Sequence, residues 1–338
     1  MNNIILLARS MRLSTYVISI IGFAFLTILT LFLFSVSFVE SLEHNSSITI
    51  SKTLVILVLL YRIVSEARLN IFEKSKAFTE SYIKKRILLN FISVFLGTIL
   101  TFAINIEMGL GPVVAASTVA ILATLFFPKY DVPIYCGAFV GMACPSVFYN
   151  YALISLAGIT AGILFIVAKN AFNGYGGKLG TIALGGCVAT TLATRTPLGL
   201  AGIPPPETHL TLIIYSSSAA LLTYLLNVRL KNSPVISSGI IGLVGGLLLP
   251  VIHPEHGQML AIMVICASFA GMSSKEKVPH EIFIVIAGLF SALFFIYTAS
   301  YLGGTGGKLG TIAFGSVIAV RGIWDLINKL YTRFKKVP

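Results

Sequence analysis

Apolar residues run along this chain in long blocks, and polar residues fall mainly in short joins between them. A helix needs about 20 apolar residues to cross a bilayer, with roughly 17 to 25 tolerated. Counted on that scale, the blocks give twelve candidate spans, beginning near Thr15, Thr53, Ile87, Pro112, Val132, Tyr149, Leu179, His209, Pro234, Gly257, His280 and Leu309. The expected class is all-α, a polytopic membrane helical bundle. One join is long and charged, Glu66–Arg86. Its Leu69, Phe72, Phe78 and Tyr82 fit either an apolar stripe lying on a membrane surface or a solvated elbow.

The pattern repeats. Gly176–Ala183 reads GGKLGTIA, and Gly306–Ala313, 130 positions later, reads the same. At that offset Gly141-Met142-Ala143 answers Gly271-Met272-Ser273, and Ala157-Gly158 answers Ala287-Gly288. Farther upstream Pro112 and Pro128 bracket one apolar run as Pro234 and Pro250 bracket another; an insertion around His253–His256 accounts for the changed offset. Self-similarity of this kind decides the architecture. It divides the chain into residues 1–86 (two extra N-terminal spans and a basic elbow), 87–208 (spans three to seven) and 209–338 (spans eight to twelve with a basic tail). Five spans is an odd number, so the second unit is expected upside down relative to the first. Inverted-topology repeats recur in secondary transporters, with the substrate near the midplane between the units.

Composition fits this picture. Hydrophobic residues make up 56% and charged residues 11%, too few to coat two soluble domains. The net charge of +12 sits at block ends, which argues against nucleic acid. With the N-terminus inside and strict alternation, Arg68, Lys84, Lys169, Lys178, Arg229, Lys275, Lys277 and the tail fall inside. Lys52, Arg195 and Lys308 are left outside. That bias places both termini in the cytoplasm, of a bacterial inner membrane in the simplest case. The block Tyr16–Phe38 is too long for a signal peptide and reads as a retained span. Cys136, Cys144, Cys187 and Cys266 lie in apolar stretches without CxxC pairing and read as small buried packing residues.

Four features could carry chemistry. In the bends, Gly176, Gly177, Gly306 and Gly307 allow positive φ and close approach of a ligand. Helices starting just after them, with Lys178 or Lys308 alongside and Thr181 or Thr311 one turn in, would favour an anion. A tight turn with a snorkelling lysine is the plain alternative. The spacing is not that of a phosphate loop. In the proline-bracketed runs, Ser117, Thr118, Ser237 and Ser238 are candidates for the pathway, against close helix packing. The GMACPS and GMSS stretches look like bends. His253, Glu255 and His256 could reach a metal, but a solvated loop is the stronger reading. Glu107 and Arg195 sit at outer helix ends, as a gate or a rim charge and as an anchor. Almost no acid falls within a block, which disfavours proton or sodium relays, and no catalytic constellation, metal site or cofactor motif is evident.

The expected function is a transporter or channel for a small solute, an anion or a polar neutral molecule, moving between the two repeats. Lys178 and Lys308 would guard opposite mouths. The alternatives are a lipid-carrier or amphiphile translocase, and a non-transporting assembly or anchoring subunit that holds a partner or anionic lipid. The expected partners are a small-molecule substrate and membrane lipid, and a homo-oligomer is left open.

Overall fold

A computed structural model describes residues 2–42, 46–68, 84–199 and 202–335. The candidate surface stripe at Leu69, Phe72, Phe78 and Tyr82 lies outside them. The described residues form twelve α-helices: α1 (Asn2–Leu42), α2 (Ser46–Arg68), α3 (Lys84–Ile106), α4 (Gly111–Phe126), α5 (Asp131–Gly141), α6 (Tyr151–Ala168), α7 (Lys178–Thr194), α8 (His209–Tyr224), α9 (Pro234–Ile252), α10 (Gly257–Gly271), α11 (Glu281–Thr298) and α12 (Lys308–Phe334). A single π turn, Leu225–Arg229, extends α8.

Eight of these are long and apolar enough to cross a membrane: α1, α2, α3, α6, α8, α9, α11 and α12. Of the other four candidate spans, three are shorter than expected and α7 is at the lower limit. α4 and α10 have 16 and 15 residues, and α7 has 17. α5 has 11 residues, about 17 Å at roughly 1.5 Å per residue, which cannot span a hydrocarbon layer. The reason is in the sequence. Pro128 follows the end of α4, and Gly141 and Gly271 close α5 and α10 against the bends that follow. Pro112 and Pro234 sit in the first turns of α4 and α9, where a missing N–H costs nothing.

Contacts made within one set of five helices, α3–α7, recur in a second set, α8–α12. Asn105 on α3 donates Nδ2 to the carbonyls of Gly141 and Ala143 (3.4 and 3.5 Å). Asn227 on the extension of α8 does the same to Gly271 and Ser273 (3.3 and 3.2 Å). Cys136 Sγ donates to Leu179 O, and Cys266 Sγ to Leu309 O. Other contacts are exchanged between the two sets. Ser274 N donates to Gly174 O, and Cys144 N to Gly304 O, both at 2.9 Å.

These bonds define two ends of the bundle. At one, the 169–177 bend meets the connection 272–280; Arg62, Glu66 and Asp325 gather there too, so we call it the charged end. At the other, the 299–307 bend meets the connection 142–150, and Tyr301 donates to Glu40 Oε2 at 2.9 Å. We call this the cavity end.

The N-terminal pair packs on the outside of this body. Phe34 of α1 stacks on Phe294 of α11 with ring centroids 4.0 Å apart, and Phe23 stacks on Phe172 at 4.6 Å. Lys52 is not in an outer loop as its position among the blocks suggested. It lies in α2 and is fully buried, its ammonium donating to Ser37 O and Ser37 Oγ (both 2.8 Å) and sitting 3.8 Å from the Tyr297 ring centre. A buried ammonium needs such partners, because an unpaired one would be strongly disfavoured.

Candidate functional site

The two GGKLG bends meet each other. Gly177 and Gly307 both take the left-handed conformation, with φ of +82° and +88°, and cap the N-termini of α7 and α12. The first turns of those helices then cross antiparallel. A Cβ on Gly180 would lie 2.5 Å from Gly310 Cα, and one on Gly310 would lie 2.6 Å from Gly180 Cα. No side chain fits at that crossing. Gly176 and Gly306 are pressed against backbone as well, the first at Phe269–Ala270 and the second at Phe139–Val140. Each bend is thus seated on the short helix of the other set.

The two lysines lie at opposite ends of the bundle, and each ammonium is turned to backbone. Lys178 Nζ turns back to Lys169 O and Ala171 O, both at 2.9 Å, and to Asn173 Oδ1 at 3.1 Å. Lys308 Nζ turns back to Thr298 O and Tyr301 O at 2.6 Å and to Ala299 O at 3.2 Å. Each ammonium caps the carbonyl end of the preceding helix, α6 or α11, where the helix dipole is negative and the last carbonyls lack partners. Thr311 Oγ1 reaches Gly307 O at 3.3 Å, whereas Thr181 Oγ1 is buried with no partner.

A cavity of about 320 Å³ opens beside the second bend. Its walls come from both sets of helices: Phe139 and Met142 at the end of α5, Met259, Ile262 and Phe269 of α10, and the bend from Leu302 to Leu309. Of the candidate site residues it includes Gly306, Gly307 and Lys308, and it adds Cys144, which the apolar surroundings in sequence suggested was buried but which is exposed. The lining is mainly aliphatic, aromatic and glycine. Phe139 and Phe269, ring centroids 4.4 Å apart and each 1% exposed, form the wall toward the middle of the bundle.

Behind that wall lies a group of hydroxyls. Tyr135 OH and Ser238 Oγ share a hydrogen bond of 2.9 Å, and Ser238 Oγ and Ser268 Oγ share one of 2.8 Å. Ser268 in turn donates to Ile265 O at 2.7 Å. This trio joins α5, α9 and α10, and all three residues are fully buried. Further toward the charged end, Ser233 Oγ donates to Asp131 Oδ2 at 2.8 Å. Of the other candidates, Ser237 bonds back to Ser233 O. Ser117 is buried with no hydroxyl partner, on the face of α4 that meets Gly242. Thr118 is half-buried on α4. Tyr135 and Ser268 went unnoticed in the sequence because single hydroxyls in apolar blocks look like ordinary packing residues.

The charged end holds a feature that the sequence did not flag. Arg62 of α2 pairs with Glu66 and with Asp325 of α12 (2.9 Å to Oδ2), and its Nε donates to Tyr175 OH at 2.9 Å. Tyr175 OH donates to Glu66 Oε2 at 3.2 Å, and Lys277 Nζ reaches Glu66 Oε1 at 3.3 Å. Arg321 pairs with Asp325 at 3.0 Å and donates to Glu276 O at 2.6 Å. Burial pushes the Lys277 ammonium below its ordinary pKa, with Glu66 pulling it back up. The Tyr175 hydroxyl is pushed up by burial and then by Glu66.

At the rim, Glu107 accepts from Tyr151 OH at 3.2 Å in an exposed position, and Arg195 ends α7 with φ +54°. His253 shares a hydrogen bond of 2.9 Å with Tyr215 OH.

Eight long apolar helices around an interior of polar and apolar contacts mark a helical membrane protein. Compared with protein-family models, curated proteins and solved structures, the chain matches none.

Proposed function

We propose that the protein is a membrane transporter whose pathway runs between two five-helix units, α3–α7 and α8–α12, inverted relative to each other, and that its substrate presents apolar surface. The observation that carries the reading is the cavity of about 320 Å³ walled by both units at the second bend. Ligand sites lie preferentially between such units, and this volume is at the lower end of their usual range. Its aliphatic and aromatic lining suits an acyl or isoprenoid chain, or another amphiphile entering tail first. A pathway for a small anion would depend on Lys178 and Lys308, whose ammonium groups are turned to backbone carbonyls. The lysine and arginine count is our ground for placing both termini in the cytoplasm of a bacterial inner membrane. We assign no catalytic role, cofactor or metal.

The test is transfer across proteoliposomes of two probes, a fluorescent short-chain acyl phospholipid and chloride. The acyl probe is expected to cross only with protein present. Ile262→Trp, which fills the cavity with an indole, should slow it at least tenfold. Chloride flux that is strong and lost in Lys308→Ala, with no transfer of the acyl probe, would replace this reading with the anion pathway.

A further inference from the structure

The two ends of the bundle are built on the same plan but finished differently. Positions related by the 130-residue offset can be compared directly. At the charged end the bend carries Tyr175, which is 5% exposed; the matching position at the cavity end is Thr305, a cavity-lining residue. Lys277 in one connection matches Val147 in the other, and Arg321 on α12 matches Thr191 on α7. Three large polar side chains therefore occupy one end where three small ones stand at the other. The accessible atoms follow suit. Cys144 is exposed at the cavity end, while Ser274, its counterpart, has its hydroxyl buried under Gly174.

The large side chains are tied together across three parts of the molecule. Tyr175 belongs to the first bend, Lys277 to the connection after α10, and Arg62 and Glu66 to the N-terminal pair. Lys277 also lies 4.7 Å from the Tyr175 ring centre. Glu66 is the common partner: it faces Arg62, Lys277 and the Tyr175 hydroxyl at once. The two helices outside the repeated units thus supply a carboxylate and a guanidinium to the joint between those units, at one end only.

We propose that this cluster is the closed gate of a second mouth, and that the structure is the member of a two-state pair with the cavity end open and the charged end shut. The proposal rests on the pathway between the two units. In the other state the cluster separates, a cavity forms beside the first bend as one lies beside the second here, and the cavity end closes. Two packings related in this way are available because the contacts that hold each bend are matched. The cluster then sets the balance between them, since only interactions that differ between two states move their populations.

The position pair Cys144 and Ser274 supplies reporters that need no substrate. In a chain whose Cys136, Cys187 and Cys266 are alanine, Cys144 is retained in one version. In the second, Cys144 is serine and Ser274→Cys is introduced. Both are purified in detergent, so each end is reachable, and reacted with a charged methanethiosulfonate. The parent chain should label at Cys144 at least tenfold faster than at the Ser274→Cys thiol. Glu66→Gln and, separately, Lys277→Met should raise labelling at the Ser274→Cys position and lower it at Cys144, each at least fivefold. Unchanged rates at both reporters, in variants that elute as the parent does in gel filtration, would overturn the gate and leave the acyl-transfer result standing. A rise at the Ser274→Cys position without a fall at Cys144 would overturn it too, since that is local loosening and not exchange of ends.

Discussion

At the scale of single residues, the two lysines of the repeated motif are held by the carbonyls of the helix ends and bends before them. An ammonium next to a glycine bend and a helix N-terminus suggests an anion site when only the sequence is in view. The side chain is long enough to reach backwards instead, and the last carbonyls of the preceding helix are the stronger attraction, being several, fixed and dipole-aligned. Lys308→Ala should therefore leave three partly buried carbonyls short of a charged donor. A charge-assisted hydrogen bond contributes about 1.5–3 kcal/mol, so a loss of about 3 kcal/mol is expected, read as a lowered melting temperature in detergent. Lys178→Ala should cost less, about 2 kcal/mol, because its third partner, Asn173, lies at an exposed contact. If Lys308→Ala melted with the parent chain, the capping role would be refuted. The same scale explains what the sequence hid. Glu66 stood at the start of the charged join and Lys52 among the outer lysines, while Asp325 drew no reading; their partners lie on other elements, and nothing local announces such pairs.

At the scale of elements, periodicity and punctuation did most of the work. Long apolar blocks became helices, and the prolines at 112, 128 and 234 fell at helix ends as their chemistry requires. Eight of twelve expected spans have the necessary length. The shortfall falls on α4, α5 and α10, with α7 at the lower limit, because block counting sees apolar character and not depth. A short apolar helix buried among others reads like one that crosses a bilayer. The glycine bends were legible as turns and as a matched pair. That they pack on each other was not, since a contact between two copies needs the tertiary arrangement. It leads to a definite expectation. Gly310→Ala places a methyl 2.6 Å from Gly180 Cα, where only backbone can yield. Overpacking of this kind costs about 1–3 kcal/mol, and the upper part of that range is expected because α7 and α12 must separate along their first turns. Gly202→Ala meets nothing within 4 Å and serves as the control, with an unchanged melting temperature. Equal behaviour of the two variants would mean that the crossing is looser than drawn.

At the scale of the whole molecule, two similar halves face each other. Reciprocal contacts, with each bend seated on the other set's short helix, are what a two-fold relation between the halves produces. α7 and α12 cross antiparallel at their first turns, which supports the proposed inversion of one half with respect to the other. Placed in a bilayer with the relating axis along its plane, the connections 142–150 and 272–280 must face opposite sides. An axis along the membrane normal would put them on one side and would run α7 and α12 parallel. Ser146 and Lys275 are exposed positions in those two connections. With Cys144 replaced by serine, Ser146→Cys and Lys275→Cys should react with an impermeant thiol reagent from opposite faces of sealed membrane vesicles. By the distribution of lysine and arginine, Lys275→Cys should react from the cytoplasmic face. Reaction of both from one face would break the inversion, and with it a pathway that runs from one connection toward the other. Reversed faces, with the two still opposite, would keep the inversion and assign the open cavity to the cytoplasmic side.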